Sequence, residues 1–467
     1  MGKDRREFLE ELLKAGLVIG ATGLSRASLG NISQKNILFI SIDDLNDWGG
    51  PFQSSYQKVF TPGLDKLASM GTTFSKAYCA APACGPSRTS LMSGLHPKQF
   101  SDSGWKNFRE YVGNNKVLPE IFKENGYNVY GCGKLFHGQH DYSQENVPWR
   151  DINYESKLWT EYMAFPGDPT IYEKIKDERF IYGAHYPNEE DMPDRKILKW
   201  AKSILARKQE KPFFLGVGFY RPHLPWLVPK KYFDMYPLEG IQVPNVPAHD
   251  LSDVPPIGVN MATGGAQDHK RITGRNEWKN AIQGYLASIT FADNCLLELL
   301  GALEASGYQD NTLIVLWSDH GWHLGEKLGW RKFKMWERAT KVPLMFAGPG
   351  IQRNVTCETV VSLMDVLPTL TDMALGKTFF SERGSSLKNV LANPRRIEER
   401  YALTSTGPSN QRHYTVRSSR WRYIQYSDGS QELYDHINDP NEWFNLLNKE
   451  SSRSKLLDVV QDLKRFI

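Results

Sequence analysis

Asn36-Ile37-Leu38-Phe39-Ile40-Ser41-Ile42 runs directly into Asp43-Asp44. A strand this continuously apolar cannot belong to a sheet with one wet face. It needs cover on both sides, the condition of a mostly parallel sheet between helices. The chain repeats the pattern. Tyr127 to Cys132 reads as a strand ending in Gly133-Lys134, Pro212 to Phe219 as one ending in Tyr220-Arg221-Pro222-His223, and Thr312 to Trp317 as one ending in Ser318-Asp319-His320-Gly321; Val342 to Ala347 is a further strand.

Helical patterns lie between the strands. Thr61 supplies an N-cap, Pro62 a first turn and Gly71 a stop for one short helix, and Val117 to Asn125 with Gly126 makes another. Asp194 to Arg207 carries one apolar face, Asn276 to Ser306 is long and apolar at helical spacing, and Leu363 to Ala374 follows. The fold class predicted is α/β, with a large mixed, mostly parallel sheet flanked by helices on both faces. Residues 138–192 read as a long insertion rich in Trp, Tyr and acidic groups, and the proline-rich stretch 238–274 resists regular assignment. After Asn393 the pattern changes to short strands at Tyr414–Ser419, Trp421–Ser427 and Glu432–His436, with an Asp428-Gly429 turn and a terminal helix over 451–466. Three regions result: 1–30 as an N-terminal signal, 31–393 as the main domain, and 394–467 as a smaller antiparallel sheet plus helix.

With 467 residues, 40% apolar and 24% charged, the chain is of ordinary globular composition. A net charge of +4 without any long basic run argues against nucleic-acid binding. Five cysteines without CxxC spacing indicate neither a disulfide framework nor a zinc site, while a single pair involving Cys79 stays open. At the N-terminus, Arg5-Arg6-Glu7-Phe8-Leu9 precedes an apolar run from Leu12 to Leu24, too short for the roughly 20 residues of a membrane span. The order resembles a twin-arginine export signal and predicts an exported, periplasmic or extracellular protein with no stable membrane span. An amphipathic N-terminal helix is the alternative.

The second organising stretch is Cys84-Gly85-Pro86-Ser87-Arg88-Thr89-Ser90-Leu91-Met92-Ser93-Gly94. Pro86 suits a first helical turn, Ser87 and Thr89 can satisfy early amide donors, and Gly94 stops the helix. Cys84 then sits at a helix N-terminus, where the dipole favours a thiolate and attracts anions. Because ligands bind beyond the carboxyl ends of strands in such sheets, Asp43-Asp44, Lys134, His223 and Asp319-His320 should converge. Asp43-Asp44 taken alone could cap a helix. Three carboxylates together would repel one another unless a cation sat among them, and oxygen ligands favour Ca²⁺ or Mg²⁺ over zinc.

Cys-x-Pro-Ser-Arg followed by x-x-Leu-x-x-Gly resembles the signature of the type I sulfatases of the alkaline-phosphatase-like superfamily. The resemblance implies that a maturase oxidises Cys84 to formylglycine before folding is complete. It implies that one hydroxyl of the hydrated residue attacks sulfur and that the other, deprotonated by His137, expels sulfate and restores the aldehyde. Arg88 would hold the modified side chain, and Asp43, Asp44, Asp319 and His320, with residue 84, would form the divalent site. Gly133-Lys134-Leu135-Phe136-His137-Gly138 resembles the segment supplying a sulfate-binding lysine and the hydrate's histidine; its spacing, and His320 where many members have asparagine, are similar to the iduronate-2-sulfatase branch. His223 resembles the leaving-group histidine, and Lys332 the lysine touching sulfate and bridging oxygen, while Lys327 replaces a common histidine. Arg221 and Arg331 are candidates for a substrate carboxylate.

The implied substrate is a sulfated carbohydrate, an acidic one in view of that branch. Trp149, Tyr154, Trp159, Tyr162 and Tyr172 suit either a sugar-binding wall or the insertion's own core. Two other readings compete: a phosphate or phosphonate monoester hydrolase of the same superfamily, and a catalytically silent glycan-binding homologue.

Overall fold

The computed structural model describes residues 34–52, 58–100, 108–137, 158–166, 180–264, 267–448 and 454–467. The export-like segment and the aromatics Trp149, Tyr154 and Tyr172 lie outside them. Lys35–Ile467 forms one compact unit.

Its centre is an eight-stranded sheet: β1 (Asn36–Ile42), β2 (Gly71–Phe74), β3 (Asn128–Gly133), β4 (Glu161–Met163), β5 (Phe213–Phe219), β6 (Thr312–Trp317), β7 (Leu344–Ala347) and β8 (Val355–Cys357). The spatial order is β8-β2-β7-β6-β1-β5-β3-β4. β7 runs antiparallel to both neighbours, and the other pairs are parallel.

The apolar run of β1 is explained by where its side chains go. Leu38, Ile40 and Ile42 enter one core with Ile197 and Leu198 of helix α3 (Pro193–Leu205) and Leu286 and Ile289 of helix α6 (Trp278–Ala305). Ile37 and Phe39 enter the opposite core with Leu91 and Met92 of helix α2 (Cys84–Ser93) and Leu367 and Leu370 of helix α7 (Val366–Leu375). Phe39 packs against Trp317 at 5.4 Å and Phe214 at 5.5 Å between ring centroids. Truncating such a residue to alanine costs about 3–5 kcal/mol. Helix α6 is long and apolar enough to cross a membrane, but its apolar side chains fill the first core, so it is a core helix.

Helix α1 (Pro62–Met70) starts differently from the sequence expectation. Thr61 Oγ1 accepts from the Gly50 amide, and the amides of Gly63 and Leu64 are capped by Asp293 of α6, each at 2.7 Å. The proline-rich stretch also holds more order than expected, because Pro256 opens helix α4 (Pro256–Thr263) instead of breaking one, and α5 (Asp268–Gly274) follows.

The C-terminal sheet has four antiparallel strands in sequence order: β9 (Ala402–Thr406), β10 (His413–Arg417), β11 (Trp421–Gln425) and β12 (Gln431–Asp435). Gly429, at φ 86°, makes the turn before β12. Helix α8 (Leu457–Lys464) closes its small core through Leu463. β9, whose Ala-Leu-Thr-Ser-Thr carries little periodicity, buttresses the loop ahead of Cys84: Thr404 Oγ1 donates to the Cys79 carbonyl at 2.5 Å and the Ser405 amide to the Ala80 carbonyl at 2.9 Å. All five cysteines are buried thiols, so no Cys79 disulfide forms.

Candidate active site

β6, β1, β5 and β3 are adjacent in the sheet, so the residues after them meet at one edge. The segment beyond β3 is fitted by Gly133. Its φ is +70°, and a Cβ there would lie 2.1 Å from the Gly218 carbonyl oxygen, so only glycine admits the turn that presents Lys134. Asp44 adopts a left-handed φ of 58°, tolerated by aspartate, and its amide donates to Asp319 Oδ1 at 3.2 Å. Tyr285 of α6 fixes the turn, donating to the Asp44 carbonyl at 2.8 Å and accepting from the Asn46 amide at 2.9 Å.

Cys84 is the first residue of α2 and is 1% exposed. Ser87 does not cap the helix. Its hydroxyl donates across to the Asp319 carbonyl at 2.5 Å, tying α2 to β6. Arg88, fully buried, donates Nε to Asp319 Oδ2 and Nη2 to Asp43 Oδ1, both at 2.9 Å, and Nη1 to the Lys134 carbonyl at 2.5 Å. One guanidinium thereby fixes three of the four strand ends.

Around the thiol, Lys332 Nζ lies at 2.9 Å, His320 Nε2 at 3.2 Å, and Lys134 Nζ and Asp44 Oδ1 at 3.9 Å. Lys332 also donates to Asp44 Oδ1 at 2.8 Å, and Lys134 is bonded to Asp43 Oδ2. His223 Nε2 stands 3.8 Å from Asp44 Oδ2. A Cβ on Gly85 would meet the His137 side chain at 3.7 Å, so that imidazole lies over the start of α2.

Burial disfavours a Cys84 thiolate, but Lys134 and Lys332 outweigh it and bring the thiol below its ordinary value. Burial likewise opposes the Asp43 charge, and Lys134 and Arg88 reverse it, holding Asp43 well below the carboxylate range. Asp44 goes the other way: burial pushes it up, Lys332 only partly offsets that, and Asp43 adds to it. Burial with Lys134 lowers both His137 and His223 well below the imidazole value.

The donor set fits a divalent ion. Asp44, Cys84, Asp319 and His320 each offer an atom within 4.8 Å of the others, and Asp44 Oδ2 is buried with no hydrogen-bond partner among the described residues. His320 Nδ1 faces the Gly321 carbonyl at 2.9 Å. A carbonyl only accepts, so Nδ1 donates and Nε2 points into the cluster, the orientation of a ligating histidine; burial lowers its pKa, but Asp319 and Cys84 outweigh that and raise it to about 9.

Two expected residues have other partners. Arg221 is fully buried, and its Nε and Nη2 donate to the Leu227 carbonyl at 3.3 Å, so it ties down the segment after His223 instead of receiving a substrate carboxylate. Arg331 is engaged by both oxygens of Asp268, at 2.5 and 3.2 Å, which neutralises its charge. Trp159 and Tyr162 stack on each other, and Trp159 packs against Gly131 in the core rather than lining a cleft. Lys327 donates to Asp250 Oδ1 at 2.8 Å and to the Glu442 carbonyl, making it a buried tie to the C-terminal region. Asp194 is a positioning residue that sequence alone did not single out: its carboxylate accepts from the amides of Tyr220, at 2.5 Å, and Arg221, at 3.2 Å, and so sets the His223 loop.

The sulfatase family model matches residues 35–377, and a model described as N-sulphoglucosamine sulphohydrolase, C-terminal, matches residues 325–466. The chain belongs to the sulfatase family and is a sulfuric ester hydrolase. It is 36% identical over 442 residues to a sulfatase of Formosa agariphila, covering 91% of this chain and 85% of that one. It is 30% identical over 368 residues to the iduronate 2-sulfatase of Mus musculus, covering 72% and 64% respectively. The fold is similar to that of BT4656 in complex with its substrate D-glucosamine-2-N,6-O-disulfate, with a TM-score of 0.71, 21% identity, and coverage of 92% and 98%. Members of the family generally use a formylglycine and a divalent metal.

Proposed function

We propose that this sulfatase hydrolyses sulfate esters of acidic carbohydrates outside the cytoplasm, with residue 84 matured to formylglycine and Ca²⁺ or Mg²⁺ held by Asp43, Asp44, Asp319 and His320. The observation that carries the reading is the pair of lysines, Lys134 and Lys332, converging with His223 on the side chain of residue 84 at a carboxylate-rich strand edge.

A bound divalent ion would supply positive charge to the sulfate oxygens and a counter-charge to the acids. Lys134 and Lys332, whose ammonium groups already flank the thiol, bind the sulfate and stabilise charge developing on it. Arg88 holds Asp43 and Asp319 in register. His137, kept neutral by burial, is suited to take a proton from the hydrated residue. His223 donates its Nδ1 proton to the Leu224 carbonyl at 2.6 Å, which turns Nε2 toward the site. Arrival of the sulfate anion offsets the lysine charges that lower its pKa and favours the imidazolium that protonates the leaving oxygen.

Two measurements test this. Mass analysis of the peptide containing residue 84, from protein made with and without a maturase, should find the aldehyde only in active preparations. Sulfated oligosaccharides should then be turned over in preference to small aryl and choline sulfates; preference for the small compounds, or for phosphate monoesters, would contradict it.

A further inference from the structure

Tyr220 is the first residue beyond β5, and it stands among groups that the mechanism uses although no step described so far involves the phenol. Gly133 and Gly218 are partners in the parallel pairing of β3 with β5, so Lys134 and Tyr220 leave neighbouring strand ends side by side. The Lys134 ammonium consequently lies 5.2 Å from the centroid of the Tyr220 ring, and the His223 ring lies 4.7 Å from the same centroid. The hydroxyl adds a second link. Tyr220 Oη donates to the Leu224 carbonyl at 3.2 Å, and that oxygen also accepts from His223 Nδ1 at 2.6 Å. A carbonyl oxygen has two lone pairs, which these two donors match.

The phenol is itself held in place. It is buried, Phe165 stacks on it at 4.7 Å, and the Tyr220 amide donates to Asp194 Oδ1 at 2.5 Å. The Arg221 guanidinium lies 5.4 Å from the centroid, a second cation drawn to a ring whose face carries negative charge density. An ammonium kept from water gains more from such a face than one at the surface, and Lys134 is buried. A lysine is a point charge on a flexible four-carbon stem, so its ion pair with Asp43 leaves the direction of approach loose, and a ring beside the ammonium narrows it.

We infer that Tyr220 is a positioning residue that ties the sulfate-binding lysine to the leaving-group acid: its ring seats the Lys134 ammonium and the His223 imidazole in one relative geometry. This rests on the roles proposed above for those two side chains. Both act together, as charge develops on the sulfate oxygens and on the departing oxygen, and a shared support keeps them aligned without reorganisation.

Substituted phenyl sulfates separate the two arms, because Lys134 meets the sulfate of every ester whereas His223 matters more as the departing phenol becomes a weaker acid. Tyr220→Leu keeps an apolar side chain without a π face. In active enzyme it should lower kcat/KM about tenfold on 4-nitrophenyl sulfate, as loss of a desolvated cation–π contact implies, and by about tenfold more on 4-methoxyphenyl sulfate. Tyr220→Phe keeps the ring and should recover most of both losses, which separates positioning from misfolding. In a His223→Ala background, Tyr220→Leu should no longer alter the ratio between the two esters, because the group it acts through is gone. Equal losses on both esters, a Tyr220→Phe variant as impaired as Tyr220→Leu, or the same change of ratio in the His223→Ala background would overturn the inference and leave the roles of Lys134 and His223 standing. A His223→Ala variant impaired equally on both esters would overturn the leaving-group role and the inference with it.

Discussion

Among the described residues, two clusters combine carboxylates with a histidine closely enough to hold a metal, and they are built in opposite ways. At the strand ends, Asp44 faces Lys332 and His320, and burial raises its pKa because the compensation is incomplete. Elsewhere, Glu337, Glu442 and His436 meet where Arg417 of β10 and Arg422 of β11 reach Glu337. Burial opposes the charge there too, but Arg422 spans Glu337 and Glu442, Arg417 reaches Glu337 at 3.3 Å, and His436 takes Glu442 at 2.9 Å. Both glutamates are held below the carboxylate range. Carboxylate density therefore does not mark a metal site. What separates the two clusters is that Asp44 Oδ2 has no hydrogen-bond partner among the described residues, whereas guanidinium groups meet both glutamates of the junction.

The sharpest way to break this contrast is Cys84→Ala. It should lower kcat/KM by about 10³-fold or more while leaving the unfolding midpoint within about 2 °C, measured by thermal melts; residual full activity would end the assignment. Asp44→Asn should reduce bound metal and activity together in elemental analysis, with Glu442→Gln leaving metal content intact. Metal lost from the Glu442 variant would erase the distinction. Glu442→Gln should instead cost about 3–5 kcal/mol in urea unfolding, because it leaves Arg422 buried with one partner fewer.

Smaller effects sharpen the comparison further. His223→Ala should lose about 10²-fold on a sugar sulfate and clearly less on an activated aryl sulfate, whose leaving oxygen needs little protonation. Acid should reach the junction through its glutamates. Their folded pKa values lie below the unfolded one, so their contribution is complete above about pH 4.3 and disappears as pH falls through the lower folded values. Melting temperatures taken from pH 7 down to 3 should drop for the wild type and drop less steeply for Glu442→Gln.

The strand ends were readable because β1, β3, β5 and β6 each announce themselves by apolar runs and stop at polar residues, and topology does the rest. The Cys84 motif was readable from local helix chemistry. What escaped depends on partners far along the chain. Asp293 caps α1 from 230 residues away, and Ser87 turned out to join α2 to Asp319 rather than cap its own helix. Arg221 and Arg331 stand beside functional residues in sequence, yet a carbonyl and Asp268 claim them, a choice no spacing rule contains. β9 was missed because Ala-Leu-Thr-Ser-Thr carries little periodicity, and pairing with β10 is what makes it a strand.

The sheet order has a consequence in time. Asp44 and Asp319 touch across 275 residues of chain, and β1 cannot gain its β6 neighbour until the later strand exists. At synthesis rates of about 5–20 residues per second, the interval between the two is roughly 14–55 s. For all but about the first 2–8 s of it, Cys84 is already made but its pocket still lacks β6 with Asp319 and His320. The thiol sealed in the finished molecule is then ordinary exposed chain, and any enzyme that must grip it has that interval in which to act.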